Sequence, residues 1–254
     1  MSSWEANLGK QLDRFNVDIA SLKDRQRRKV ILMSDSKGRY LKAEVNKGED
    51  IIDFIFESGA RSDNKKLLEK VKSFITGLQN PVLMVWLGTC EFTKKEKDFT
   101  ISLVKDRTVD EVIENLKQIK KEILKTNSST EILFLQCPIY SIKEWNKHHG
   151  HENPDSFGGD DLILEEKVDS LNLELIALNE HSFSGPKFSL DIVRSSKVKS
   201  GATKFRKKTT YRYEDYYSDG IHPCSLLSKL WLFKLLRIAD KKKSITTEIA
   251  KIMR

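Results

Sequence analysis

Val30-Ile31-Leu32-Met33-Ser34-Asp35-Ser36-Lys37-Gly38 is the stretch that decides the fold. The apolar run reads as a strand from Lys29 to Met33, and the polar turn behind it delivers Ser36 to the strand end. Further along, Pro81 opens a second such run, Val82 to Leu87. It is apolar on both faces, as a strand buried in a parallel sheet should be. Ile51 to Phe56 and Ile132 to Leu135 read as two more strands. Between them lie segments of helical period. Leu67, Leu68, Val71, Phe74, Ile75 and Leu78 recur at steps of three and four behind Asp63, a candidate cap. Thr108 with Glu111 has the spacing of a capping box and starts a helix whose Val112, Ile113, Leu116, Ile119 and Ile123 share one face.

Strands alternating with helices imply a parallel sheet covered on both sides, with right-handed crossovers. The expected fold class is α/β: a three-layer α/β/α sandwich around a central, mostly parallel five-stranded sheet, with Lys187 to Val193 as its fifth strand. A polar stretch from Tyr140 to Asp161 interrupts the alternation. A helix from Leu162 to Leu178 follows it, a basic loop runs on to Asp219, and Pro223 opens the last helix. The expected domain covers residues 29–240. Before it, residues 1–28 form an amphipathic helix, striped by Trp4, Leu8, Leu12, Phe15, Ile19 and Leu22, and a basic hinge. That stripe is expected to pack on the domain or on a second copy of the chain. After it, residues 241–254 form a basic helix or tail.

The 254 residues hold 45 Lys and Arg against 37 Asp and Glu, a net charge of +8. No run is apolar for the roughly 18 residues a membrane span needs, and no secretory leader is read at the start. An intracellular, cytoplasmic protein is expected. Cys90, Cys137 and Cys224 are odd in number and lack paired spacing, which argues against a disulfide framework and against a zinc module.

Tyr217-Ser218-Asp219-Gly220-Ile221-His222-Pro223 places an acid three residues before a histidine. A serine hydroxyl is a poor nucleophile until a histidine takes its proton and a carboxylate orients that histidine. Ser36, Asp219 and His222, in that order, therefore suggest acyl chemistry. Each has an ordinary alternative: a serine behind a strand commonly caps a helix, and Asp-Gly is good turn chemistry. In an open parallel sheet, however, reactive groups collect at the carboxyl ends of the strands. Ser36, Gly59, the loop of Gly88, Thr89 and Cys90, and the turn of Asp219 and His222 all belong there.

These residues resemble the SGNH or GDSL-type esterases and lipases, block by block. Ser34, Asp35, Ser36 resembles the Gly, Asp, Ser of the first block; Gly59 resembles the second-block glycine; Gly88, Thr89, Cys90, Glu91 resembles the third block; Asp219 to His222 resembles the fifth. The resemblance implies a flavodoxin-like α/β/α fold and a carboxylic ester as substrate. Ser36 would be the nucleophile, His222 the base and Asp219 its orienting acid, with an oxyanion hole from Ser36, Gly59 and position 90. It implies no metal and no organic cofactor. Cys90 departs from the pattern, because the family has an asparagine there whose amide donates to the oxyanion, and a thiol is a far weaker donor.

One basic segment has no acid: Lys197, Lys199, Lys204, Arg206, Lys207, Lys208 and Arg212, interleaved with Phe205, Tyr211 and Tyr213. Cations attract phosphates and rings stack on unpaired bases, so Lys204, Arg206, Lys207 and Lys208 are candidate contacts to nucleic acid or another anion. Alternatives stay open here: a solvated loop, an SGNH-like module that binds RNA or another polyanion with weak or no hydrolysis, or a loop that attracts an anionic ester. His148, His149 and His151 lack the spacing of a zinc site.

Overall fold

The computed structural model describes residues 28–45, 51–180, 183–199 and 205–252. The expected N-terminal helix lies outside them, as does Lys204.

Four parallel strands make the central sheet: β1 (Val30–Ser34), β2 (Ile52–Phe56), β3 (Val82–Trp86) and β6 (Glu131–Phe134), in the order β2-β1-β3-β6. The register sets Ser34 beside Phe56 on one flank and Trp86 on the other, so three strands end level. Every residue of β1 and β3 is buried. Alternation then divides these runs between two cores. Ile31, Met33, Leu83 and Val85 meet Leu67 and Val71 of α2 (Lys65–Ile75), Val112 and Leu116 of α3 (Val109–Thr126), and Leu171 of α5 (Gly158–Leu178). Val30, Leu32, Met84 and Trp86 meet Leu41 of α1 (Lys37–Ala43) and Leu227, Trp231 and Leu235 of α7 (Ser225–Ile252) on the other face. The result is the three-layer α/β/α arrangement expected.

The capping box is present: Thr108 Oγ1 accepts from Glu111 N at 3.2 Å, and Glu111 accepts from Thr108 N at 2.9 Å. Asn64, rather than Asp63, caps α2, its Oδ1 accepting from Leu67 N at 2.9 Å. The last helix begins at Ser225, since Pro223 is engaged in a bridge with Tyr217.

The expected fifth strand does not form at Lys187 to Val193. Phe188–Ile192 is a 3-10 turn, and the central sheet has four strands among the described residues. Phe188 and Ile192 are both fully buried in the second core, where the Phe188 ring lies 4.6 Å from that of Trp86. Leu190, which a strand's period of two would place on their face, is 62% exposed, so the segment does not bury as a strand. The basic segment, read as a loop, begins as an antiparallel pair instead: β7 (Val193–Lys199) with β8 (Phe205–Tyr211). A further pair, β4 (Thr93–Lys95) with β5 (Ile101–Leu103), and α4 (Ile142–His148) fill stretches in which no element was expected. A single-turn helix, α6 (Tyr213–Tyr216), leads into the turn of Asp219 and His222. Among the described residues no helix is long and apolar enough to cross a membrane.

Candidate active site

Ser36 occupies the cap position of α1, yet its side chain makes no capping bond. Its hydroxyl instead lies 2.9 Å from His222 Nε2, across 186 residues of sequence. His222 Nδ1 lies 2.6 Å from Asp219 Oδ2. The three groups form one continuous chain of hydrogen bonds, which no helix cap or simple Asp-Gly turn would require.

The turn is built to hold that geometry. Asp219 Oδ1 accepts the backbone N–H of Ile221 at 3.0 Å and of His222 at 2.7 Å, leaving Oδ2 for the imidazole. Ser218 N donates to His222 O at 2.8 Å, and Tyr217 Oη donates to Ile139 O at 2.6 Å. Gly220 has φ +89°, and a Cβ there would lie 2.6 Å from Trp145 N. Only glycine lets the turn press this closely on α4. Burial alone would raise the Asp219 pKa. The His222 side-chain hydrogen bond and charge and the backbone N–H bonds outweigh it and hold the carboxyl below its ordinary value.

Two rings, not singled out in the sequence, frame the histidine. Tyr40 stacks on it with centroids 4.7 Å apart, and Trp145 meets it edge-on at 5.8 Å. One signal for Tyr40 was available: it stands four residues after Ser36, one helical turn along the same face.

The candidate oxyanion residues follow the three level strand ends. Gly59 sits in the turn after β2 with φ +71° and open space where a Cβ would project. Cys90 lies in the loop after β3, with its Sγ 3.9 Å from Asp35 Oδ2. Burial, and then the Asp35 charge, push its thiol well up, so it stays protonated and neutral. The basic candidates Arg206, Lys207 and Lys208 fall on β8, in a sheet separate from the central one. His149 is occupied by Trp145: the rings stack at 4.1 Å and Nδ1 lies 2.9 Å from Trp145 O. Among the described residues no cluster of three or more His, Cys, Asp or Glu could hold a metal.

No family model and no curated protein matches the sequence. Solved structures do match. A GDSL-like lipase from Bacteroides thetaiotaomicron superposes with a TM-score of 0.53 at 14% identity, covering 91% of this chain and 98% of its own. The chain has the SGNH hydrolase fold. A catalytic mutant of an acetylxylan esterase from Geobacillus stearothermophilus superposes at 0.50 with 13% identity, covering 84% of this chain and 94% of its own. At these identities the SGNH likeness speaks for the fold, and the chemistry rests on this chain's own side chains.

Proposed function

We propose that the protein is a serine ester hydrolase acting on a small carboxylic ester. The observation that carries this reading is the hydrogen-bonded chain from Ser36 Oγ through His222 to Asp219 Oδ2, at 2.9 and 2.6 Å. As Ser36 Oγ forms a bond to the ester carbonyl carbon, His222 Nε2 takes the hydroxyl proton. The carbonyl π pair moves to oxygen. Collapse of that tetrahedral species breaks the C–O bond to the alcohol, which leaves with the proton His222 returns, and an acyl-Ser36 ester remains. Water then attacks, giving its proton to His222 and finally restoring the Ser36 hydroxyl as the acid departs. Asp219 keeps the imidazole in the tautomer that presents a free Nε2 and stabilises its charged form. Backbone N–H groups at Ser36, Gly59 and the loop of position 90 are the candidate donors to the oxyanion. No step calls for a metal or an organic cofactor.

The test is steady-state hydrolysis of p-nitrophenyl acetate. Turnover should be lost in both Ser36→Ala and His222→Ala. Retention in either variant would remove the triad from the mechanism.

A second reading makes the domain a binder of RNA or another polyanion. It is favoured by the pairing of β7 with β8 alone, outside the main sheet, in a segment rich in Lys and Arg. Affinity for a single-stranded RNA should then fall with salt, and neutralising Arg206, Lys207 and Lys208 together should flatten the log–log slope by about 0.7 per charge.

A further inference from the structure

The residues on either side of Ser36 carry charges that the triad does not use. Asp35 and Lys37 are each 1% exposed. The Lys37 ammonium lies 2.5 Å from Asp35 Oδ2 and also donates to Thr89 Oγ1. Asp35 Oδ1 accepts the backbone N–H of Lys37 at 2.9 Å. The ammonium further sits 5.2 Å from the ring centre of Trp86, the last residue of β3. One buried cation thus joins the turn after β1 to the strand and loop after it that lead to Cys90.

That loop is held from its other side as well. Arg61, two residues after Gly59, donates through Nε to Cys90 O at 3.0 Å and through Nη2 to Thr93 O at 2.9 Å. Glu91, fully buried, accepts from Ser62 N and from Arg107 Nη2, the latter at 3.0 Å. The loop of Cys90 is therefore tied by charged side chains to both neighbours, through Lys37 to the turn of Ser36 and through Arg61 and Glu91 to the turn after Gly59.

A buried ion pair is a poor source of stability, since desolvation consumes most of its Coulombic gain and an apolar pair of similar volume commonly does as well. Its presence directly beside the turn of the nucleophile points to another role. We propose that Lys37 is a positioning residue for ester hydrolysis. By holding Asp35 and Thr89 at once, it fixes the loop of residues 88–91 against the nucleophile turn. The oxyanion donors are then set by backbone geometry instead of by a side-chain amide at position 90. This inference rests on the esterase reading.

Two variants test it without leaving an unpaired buried charge. Thr89→Val keeps the shape and both ions but removes the acceptor. Asp35→Asn/Lys37→Met removes the pair together. With p-nitrophenyl acetate, each should lower kcat by about 10- to 100-fold, the range that a small misplacement of reacting groups costs, and leave KM largely unchanged. Amide exchange in residues 88–91 should quicken while that of β3 stays slow. Unchanged kcat in both variants, beside a dead Ser36→Ala, would overturn the positioning role and leave the esterase intact. If the wild type itself neither hydrolyses the ester nor labels with a serine-directed probe, the esterase reading fails. The tie is then judged on exchange alone, and unchanged exchange in residues 88–91 overturns it too.

Discussion

The imidazole of His222 lies flat against the ring of Tyr40, 4.7 Å between centroids with 21° between planes, while its Nε2 stays 2.9 Å from Ser36 Oγ. The same helix that carries the serine at its cap therefore carries the platform for the histidine. Such a stack is worth about 0.5–1.5 kcal/mol. Tyr40→Ala should lower kcat by up to roughly 10-fold, and Tyr40→Phe, which keeps the ring, should be close to wild type. Equal losses in both would show that the hydroxyl matters and the stack does not.

Position 90 offers a gain of function. An asparagine amide there could donate to the oxyanion where the half-buried, protonated thiol is a weak donor. Cys90→Asn should raise kcat toward the roughly 100-fold that one such donor is worth in a serine protease. Steady-state rates at saturating p-nitrophenyl acetate measure this; a fall in kcat would mean that the loop after β3 has no room for the amide.

The thiols themselves report burial. Cys137 is fully enclosed and its pKa is pushed up to about 12 by burial, while Cys90 is raised by burial and by the Asp35 carboxylate. Thiolate is the reactive form. At pH 8, iodoacetamide should leave both unmodified in the folded protein and reach both in denaturant, as mass spectrometry of the peptides would record.

Gly220 is a position at which the turn of Asp219 and His222 has no room for a side chain. A methyl group would collide with the backbone of Glu144 and Trp145 at a φ of +89°. Gly220→Ala should destabilise the fold by more than about 1 kcal/mol and lower kcat as Asp219 and His222 are displaced. Denaturant midpoints and rates together check this, and an unchanged pair would contradict the packing described.

Acid should loosen the same turn. Because the folded Asp219 pKa lies below the ordinary carboxylate value, its stabilising contribution is present above the unfolded pKa of about 3.9 and is lost as pH falls through the folded one. Asp161 and Asp191 are raised by burial, despite their hydrogen bonds, and contribute with the opposite sign. The overall acid profile mixes both kinds, so the informative quantity is a difference. The wild type should exceed Asp219→Asn in thermal midpoint near neutral pH, and the gap should close as pH drops through the folded value. A gap constant with pH would remove the Asp219 charge from the account.

How much was legible in the sequence follows from the range of the forces involved. β1 and β3 declare themselves because burial on both faces demands continuous apolar runs, and α3 because its capping box is local. Asp219 and His222 are three residues apart, so their pairing is also local. The β4–β5 pair and α4 were not legible, since distant partners hold them. Asn146 satisfies Ile101 from both sides, accepting from its N at 2.8 Å and donating to its O at 2.9 Å, and Trp145 Nε1 donates to Phe99 O at 2.9 Å. Phe188 and Ile192 read as part of a strand, and only the folded chain buries these two in the second core while leaving Leu190 between them exposed. Lys37 is the clearest case: a lysine in a polar turn reads as solvated, and only the folded chain brings Asp35, Thr89 and Trp86 around it.

The central claim is that Ser36 is a nucleophile activated by His222, and labelling with a fluorophosphonate probe at neutral pH tests it most directly. One probe per chain is expected, attached at Ser36, with labelling abolished in Ser36→Ala and strongly slowed in His222→Ala. Absence of labelling in the wild type, or labelling that survives Ser36→Ala, would contradict it.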